Sequence, residues 1–310
     1  MTAPMAADSD EDQPAQPKAT NVIPAFVGGV AHPRRDRSVG AILLDAGRIT
    51  LEEAERILQA QRDRGLRFGD AGKALGLLEQ KDIEFALSRQ FEYPYLVPGD
   101  TKVSEKVVAA FHPSRPQVEA LRVLRSQLLL RWFDNDPARR ALAVISAASK
   151  EGRSYIAANL AVVFSQLAER TLLIDADLRN PSQHELFGVD NRLGLSAVLS
   201  GRAGLETVQA IPGLKLSVLP AGTPPPNPQE LLARPGFARL LDELATQFDI
   251  ILLDSPPASL AADAQIITVR TGAALLVART NATRIWRVQG ISDRVLEAKA
   301  TIIGSVLNDY

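Results

Sequence analysis

The sequence predicts an α/β protein, a mostly parallel sheet with helices on both faces, preceded by a small all-helical domain built from a tandem repeat. Three observations lead there. Short, near-continuous apolar segments recur at residues 141–146, 171–175, 214–219, 249–254, 273–278 and 301–307, with helical patterns between most of them. Strands buried on both faces of a parallel sheet have this composition, and parallel neighbours need long crossovers. Two of the segments end in carboxylates: TLLIDADLRNP carries Asp175 and Asp177, and FDIILLDSPP carries Asp254. Upstream, residues 38–90 contain an internal repeat with helical periodicity.

Composition sets the outer bounds. The 310 residues are 46% hydrophobic, enough for more than one domain with a sizeable core. A net charge of −1 gives no general attraction to nucleic acid, and no nucleic-acid partner is expected. Without cysteine, neither disulfides nor thiolate metal sites can form. No apolar run approaches the ~18–20 residues of a spanning helix. The first twenty residues, MTAPMAADSDEDQPAQPKAT, lack the basic start and apolar segment of a secretory signal, so a cytoplasmic location is expected.

Residues 1–36 are rich in proline (Pro4, Pro14, Pro17, Pro24, Pro33) and carry the acids Asp8, Asp10, Glu11 and Asp12, the composition of a disordered tail. Residues 37–97 form the helical module. Its copies are SVGAILLDAGRITLEEAERILQAQ (38–61) and RFGDAGKALGLLEQKDIEFALSRQ (67–90). Gly40 aligns with Gly69, Gly47 with Gly76, Leu58 with Leu87 and Gln61 with Gln90. Each copy reads as a short helix, a glycine turn and a longer amphipathic helix, and Thr50 with Glu53 predicts a capping box. Neither copy can bury a core alone, so the two should pack together. Residues 98–116, with Pro98, Pro113 and Pro116, are a linker with one short helix at 104–110. Tyr93 and Tyr95, flanking Pro94, are expected to pack against apolar neighbours.

Residues 117–310 form the α/β domain. It opens on the helix QVEALRVLRSQLLLRWF, where Glu119, Arg122 and Arg125 recur every three residues and should line one side, with Leu121, Leu124 and Leu128 on another. Then come strand 141–146, a polar loop, a helix over 153–170 and strand 171–175. The loop fits G-x-x-x-x-G-K-[ST] with two departures: Ala147 for the first glycine and Arg153 for the lysine, followed by Ser154. Such a loop turns its backbone N–H groups towards phosphates, and the helix behind it adds its N-terminal donors and dipole. Gly152 allows close approach, Ser154 offers a hydroxyl to Mg²⁺ and Arg153 brings positive charge to the outer phosphates. In an open α/β sheet, ligands bind off the carboxyl ends of the strands. Asp175, Asp177 and Asp254 should therefore meet the loop in one crevice, which makes the domain P-loop NTPase-like and a nucleotide with Mg²⁺ its expected ligand.

The residues place the chain among known families. The tandem repeat resembles the N-terminal module of type II secretion and pilus ATPases, which in some members binds cyclic di-GMP. The resemblance implies contacts to such a ligand from Arg67, Gly69, Gly40, Gln61 and Gln90. Phe68 and Gly72 stand where that module has leucines, and Ser38 where its first arginine is expected. From residue 113 onward the chain resembles the bacterial tyrosine autokinases of exopolysaccharide synthesis, specifically those associated with chain-length-determinant proteins. KEGRS matches Walker A, TLLIDADLRNP with Asp175, Asp177 and Arg179 matches Walker A′, and ILLDSPP with Asp254 matches Walker B. Glu119, Arg122 and Arg125 match an E-x-x-R-x-x-R oligomerisation motif, and PAGTPPPNPQELL (220–232) and SVLND (305–309) are similar to further family segments.

That resemblance implies phosphoryl transfer from ATP to tyrosine, with Arg153, Asp175, Asp177 and Asp254 catalytic. ATP would lie on Ser149, Lys150, Glu151, Gly152, Arg153, Ser154 and Tyr155, with Asn308 at the adenine edge. Ser154 and Asp177 would hold Mg²⁺, Asp254 reaching it through water, and Asp175 would orient or deprotonate the tyrosine hydroxyl. It also implies a homo-oligomer and a membrane-spanning polysaccharide copolymerase partner, which would bring the chain to the inner membrane as a peripheral protein. Only four tyrosines are present, and Tyr310 alone lies where the family carries its tail of acceptors. The alternative is an adaptor of the export machinery, responsive to ATP or cyclic di-GMP, with little phosphoryl transfer; the arginine loop and the scarcity of tyrosine favour it.

Overall fold

The computed structural model describes residues 38–90, 94–133, 136, 138–260 and 262–309. The tail at 1–36, Tyr93 and Tyr310 lie outside the described residues.

Four helices form the repeat: α1 (Val39–Asp45), α2 (Leu51–Arg64), α3 (Phe68–Ala74) and α4 (Gln80–Gln90). The capping box is present, with Glu53 N–H donating to Thr50 Oγ1 at 3.2 Å and Thr50 N–H donating to Glu53 Oε2 at 2.8 Å. Gly47 and Gly76 adopt left-handed φ of +66° and +68° at equivalent places after the two short helices, which explains their recurrence. The copies share one core: Ile42, Leu43, Ile49, Ala54 and Ile57 from the first pack with Ala71, Leu78 and Ala86 from the second. A Cβ on Gly72 would lie 2.4 Å from Leu78 Cδ1, so a leucine there has no room.

The linker's short helix, α5 (Val108–Phe111), starts later than the expected 104–110, and α6 (Pro116–Arg131) follows. The α/β domain continues through β1 (Ala141–Ser146), α7 (Arg153–Ser165), β2 (Thr171–Asp175), α8 (Gln183–Phe187), α9 (Leu195–Leu199), β3 (Gln209–Ala210), β4 (Leu216–Leu219), α10 (Pro228–Ala233), α11 (Pro235–Gln247), β5 (Ile250–Asp254), α12 (Asp263–Thr271), β6 (Ala273–Arg279), α13 (Ile285–Glu297) and β7 (Thr301–Asn308). All six expected strand segments are strands. The helix after the loop ends at Ser165 rather than at 170, in a turn where Ala168 takes a left-handed φ of +66°.

The seven strands run in the order β3-β4-β2-β5-β1-β6-β7, all parallel except the edge pair β3–β4. β3 has only two residues, too few for a periodic signal, and was not expected. Alternate strand residues face opposite cores. Leu142, Val144, Leu173, Leu252 and Leu275 pack with α5, α6 and α7; Ala143, Ile145, Leu172, Leu253 and Leu276 pack with α11, α12 and α13. Ala109 N–H donates to the buried Asn159 Oδ1 at 2.9 Å, seating α5 on α7.

Candidate active site

The phosphate-type loop joins β1 to α7. Lys150 and Gly152 take left-handed φ of +63° and +89°, which turns neighbouring N–H groups towards one concave side. A left-handed lysine costs energy that the surroundings must hold, and here they do. Glu151 is buried, and its carboxylate accepts from Ala148 N–H at 2.8 Å and from the Thr283 hydroxyl. Asn308 Nδ2, at the end of β7, donates to the Glu151 carbonyl at 3.1 Å. Asn308 therefore lies beside the loop, while the Glu151 side chain is spent on bracing it. Ser149 and Lys150 lie on the outer part of the same loop. Tyr155, on the first turn of α7, is half-buried and packs against the core, and burial pushes its phenol pKa up.

The acids are set by strand register. β2 and β5 are neighbours, and Asp175 is paired with Asp254 across them at the carboxyl edge of the sheet. Both are fully buried. Asp175 accepts from Ser182 N–H and Gln183 N–H, each at 2.9 Å, and from Asp177 N–H at 3.2 Å. Burial first, and then the charge of Asp254, hold its carboxyl well above the usual carboxylate range despite those donors. Burial also raises Asp177, against the opposing effects of Asn180 N–H and the Arg153 charge.

Arg153 lies among these acids rather than along the loop. Its guanidinium is 8% exposed; Nε donates to Asp254 Oδ1 at 2.8 Å and Nη2 to Asp177 Oδ2 at 3.1 Å. Nη1 reaches Ser146 Oγ at 3.1 Å, and Nη2 lies 3.4 Å from Ser154 Oγ. The expectation that Arg153 points its charge at the outer phosphates thus gives way to a side chain drawn inward by two buried carboxylates. Gln183, which no sequence pattern marks, holds Asp254 from the other side: Nε2 donates to Asp254 Oδ2 at 2.7 Å and to the Ser154 carbonyl at 3.1 Å. Arg179 donates to the buried Asp263 at the start of α12, Nε to Oδ2 at 2.7 Å, anchoring the segment after Asp177.

Ser154, Asp177 and Asp254 offer the oxygen ligands a hard cation takes, and the group they already surround is a cation. Mg²⁺ is commonly held by one or two carboxylates together with substrate phosphates, so the donor set fits it without a larger acidic cage. Among the described residues there is no group of three or more His, Cys, Asp or Glu that could hold a metal ion by itself.

The other expected sites fare differently. Arg122 donates to Glu119 at 2.9 Å and to the hydroxyl of the partly buried Tyr95 at 3.1 Å. Arg125 does not share their face. It is buried and donates to the Val163 carbonyl of α7 at 2.6 Å. The reason is angular: at about 100° per residue, two steps of three turn a side chain roughly 120° away from Glu119, onto the buried side with Leu121 and Leu128. In the helical module, Gly40 and Gly69 lie within α1 and α3, not in turns. A Cβ on Gly40 would lie 2.9 Å from Phe68 Cζ, and one on Gly69 2.9 Å from Ile83 Cδ1, so both glycines serve close helix packing. Arg67 and Gln90 are exposed and Gln61 is partly buried.

No family model matches the chain. Among curated proteins it is 33% identical over 209 residues to the tyrosine-protein kinase YwqD of Bacillus subtilis, covering 67% of this chain and 87% of the relative. It is 37% identical over 196 residues to the tyrosine-protein kinase ptk of Acinetobacter johnsonii, covering 62% of this chain but only 26% of that protein. This chain thus spans about a quarter of that relative's length. Among solved structures, the kinase domain of the Escherichia coli tyrosine kinase ETK superposes with a TM-score of 0.64 at 31% identity, covering 71% of this chain and 85% of that one. With the loop, the three acids and the sheet order in place, the chain belongs to the bacterial tyrosine-protein kinase family.

Proposed function

We propose that this chain is an ATP-dependent protein tyrosine kinase that regulates exopolysaccharide chain length and export. The observation that carries the reading is the pairing of Asp175 with Asp254 across adjacent strands, beside Asp177 and the loop at the carboxyl edge of the sheet. Loop N–H groups and the N-terminus of α7 bind the phosphates. ATP and Mg²⁺, when bound, supply the γ-phosphoryl group and neutralise its charge. Ser154 and Asp177 would hold the ion, with Asp254 placed to reach it through water. Asp175 orients the tyrosine hydroxyl and takes its proton, a role suited to a carboxylate whose pKa is raised. Most of the acceleration then comes from positioning and charge stabilisation.

Tyr310 is the acceptor, presented to a neighbouring copy in a homo-oligomer that docks through the α6 surface around Glu119 and Arg122. A membrane polysaccharide copolymerase brings the protein to the inner membrane as a peripheral component. The module at 37–97 joins to the kinase domain at 117–310 through the linker 98–116 and serves docking or cyclic di-GMP binding.

A second reading, an ATP-binding adaptor of the export machinery, is favoured by one observation: Arg153 is engaged with the acids instead of facing the loop. The two are separated by incubating the purified protein with Mg²⁺ and ATP and mapping phosphotyrosine by mass spectrometry. The kinase reading expects phosphate on Tyr310, absent in Tyr310→Phe. Tight nucleotide binding with no phosphotyrosine, regained in Arg153→Lys, would establish the adaptor.

A further inference from the structure

We propose that Arg153 is a built-in cation that competes with Mg²⁺ for the oxygens of Asp177, Asp254 and Ser154, and so sets how strongly the site depends on the ion. The nucleotide part of this inference rests on the ATP-binding reading above; the metal part does not.

The geometry is that of a fork closed on a cage. Three guanidinium nitrogens reach oxygens supplied by four segments: Asp254 at the end of β5, Asp177 after β2, Ser146 at the end of β1 and Ser154 on the first turn of α7. A planar guanidinium can span such a set; a lysine, with one nitrogen, cannot. That gives a physical reason for an arginine at the lysine position of the loop. Gln183 is neutral and occupies the remaining oxygen of Asp254, so among the described residues Arg153 is the cation in contact with both Asp177 and Asp254. Buried carboxylates without a counter-cation are strongly unfavourable. Mg²⁺ requires its ligand oxygens at about 2.0–2.1 Å in near-octahedral order. It cannot take Asp177 Oδ2, nor seat a bridging water on Asp254 Oδ1, while the guanidinium donates to the same atoms, and the two cations would repel at that range. Entry of the ion therefore expels the arginine head, which is then free to turn along the loop towards the phosphates. The arginine thereby links metal occupancy to the conformation of the loop.

Two measurements on the full chain test this. The first is thermal melting with Mg²⁺ alone, without nucleotide, for wild type, Arg153→Lys and Arg153→Met. The wild type should be indifferent to the ion, whereas Mg²⁺ should raise the melting temperature of Arg153→Met by about 5 °C or more. Arg153→Lys should be stabilised by Mg²⁺ where the wild type is not, and it carries the comparison if Arg153→Met does not fold. The second is binding of a fluorescent ADP analogue in EDTA and in Mg²⁺. Wild-type affinity should change by less than about threefold, and that of Arg153→Lys by about tenfold or more, since a single lysine nitrogen does not span Asp177, Asp254 and both serines and leaves oxygens for the ion. Equal stabilisation of wild type and both variants by Mg²⁺, or equal ion dependence of nucleotide affinity, would overturn the proposal. If no protein bound nucleotide at any Mg²⁺ concentration, the ATP-binding reading would fall, while the melting comparison would still decide whether arginine and ion exclude one another.

Discussion

Asp175 and Asp254 stand side by side on adjacent strands with no water-facing surface, so burial, and then the charge of Asp254, disfavour ionisation of Asp175. For Asp175 this gives a stability prediction with a definite sign. Its carboxyl lies above the ordinary value of 3.8 in the folded chain, so between those two values the folded state binds more protons than the unfolded one. Stability contributed by this group is therefore present at low pH and lost as pH rises through that window. Urea unfolding at stepped pH should show wild type losing stability relative to Asp175→Asn as pH climbs from about 4 upward; parallel profiles would contradict the burial argument. The three acids were legible in the sequence because each follows an apolar strand. Gln183 was not, because nothing in SQHELF shows that its amide folds back onto a strand 71 residues away. The inward turn of Arg153 was equally hidden, since the loop motif specifies a position and not the direction of a side chain.

Among elements, the three central strands are tied at the edge opposite the acids. Asp249, just before β5, accepts from Arg170, just before β2, through Nε at 3.0 Å and Nη2 at 2.7 Å, and from Arg140, just before β1, at 3.1 Å. The Arg170 hydrogen bond, foremost, holds the Asp249 carboxyl down to about 2. Because the folded pKa is depressed, the contribution is present above 3.8 and is lost as pH falls towards about 2. Asp249 is 29% exposed, so solvent screening reduces its worth. Asp249→Asn should cost about 1 kcal/mol in guanidinium unfolding at neutral pH, with the difference shrinking below the ordinary carboxylate range. Gly194 sets a tighter limit. A Cβ there would sit 2.1 Å from the Pro220 carbonyl oxygen, in the segment leading into the proline-rich turn. Gly194→Ala should lower stability by about 3 kcal/mol in the same assay. Strand positions were readable because buried parallel strands are apolar on both faces; the order of the strands was not, since it depends on pairings between distant segments. The α6 arginines show the converse, with a motif spacing overridden by the angle of the helix.

For the molecule as a whole, the helical module has its own core, separate from the two cores that cover the faces of the sheet. Ser114 Oγ donates to Glu84 at 2.6 Å, a polar link between linker and module, while α5 is seated on α7 by Asn159 and by Gln166, whose Nε2 donates to the Ala109 carbonyl at 2.9 Å. The segment around α5 thus packs with the α/β domain, and a chain of residues 94–310 should melt cooperatively at close to the temperature of the α/β transition in the full chain. Loss of that transition on removing residues 1–93 would mean that the helical module is part of the α/β fold. The central claim is that Asp175, Asp177, Asp254 and the loop form one phosphoryl-transfer site, and its most direct test is the rate of phosphotyrosine formation from Mg²⁺ and ATP in wild type and Asp175→Asn. The account predicts a fall of about 10²–10⁴-fold with nucleotide affinity nearly unchanged. Phosphotyrosine forming at the wild-type rate in Asp175→Asn would contradict it.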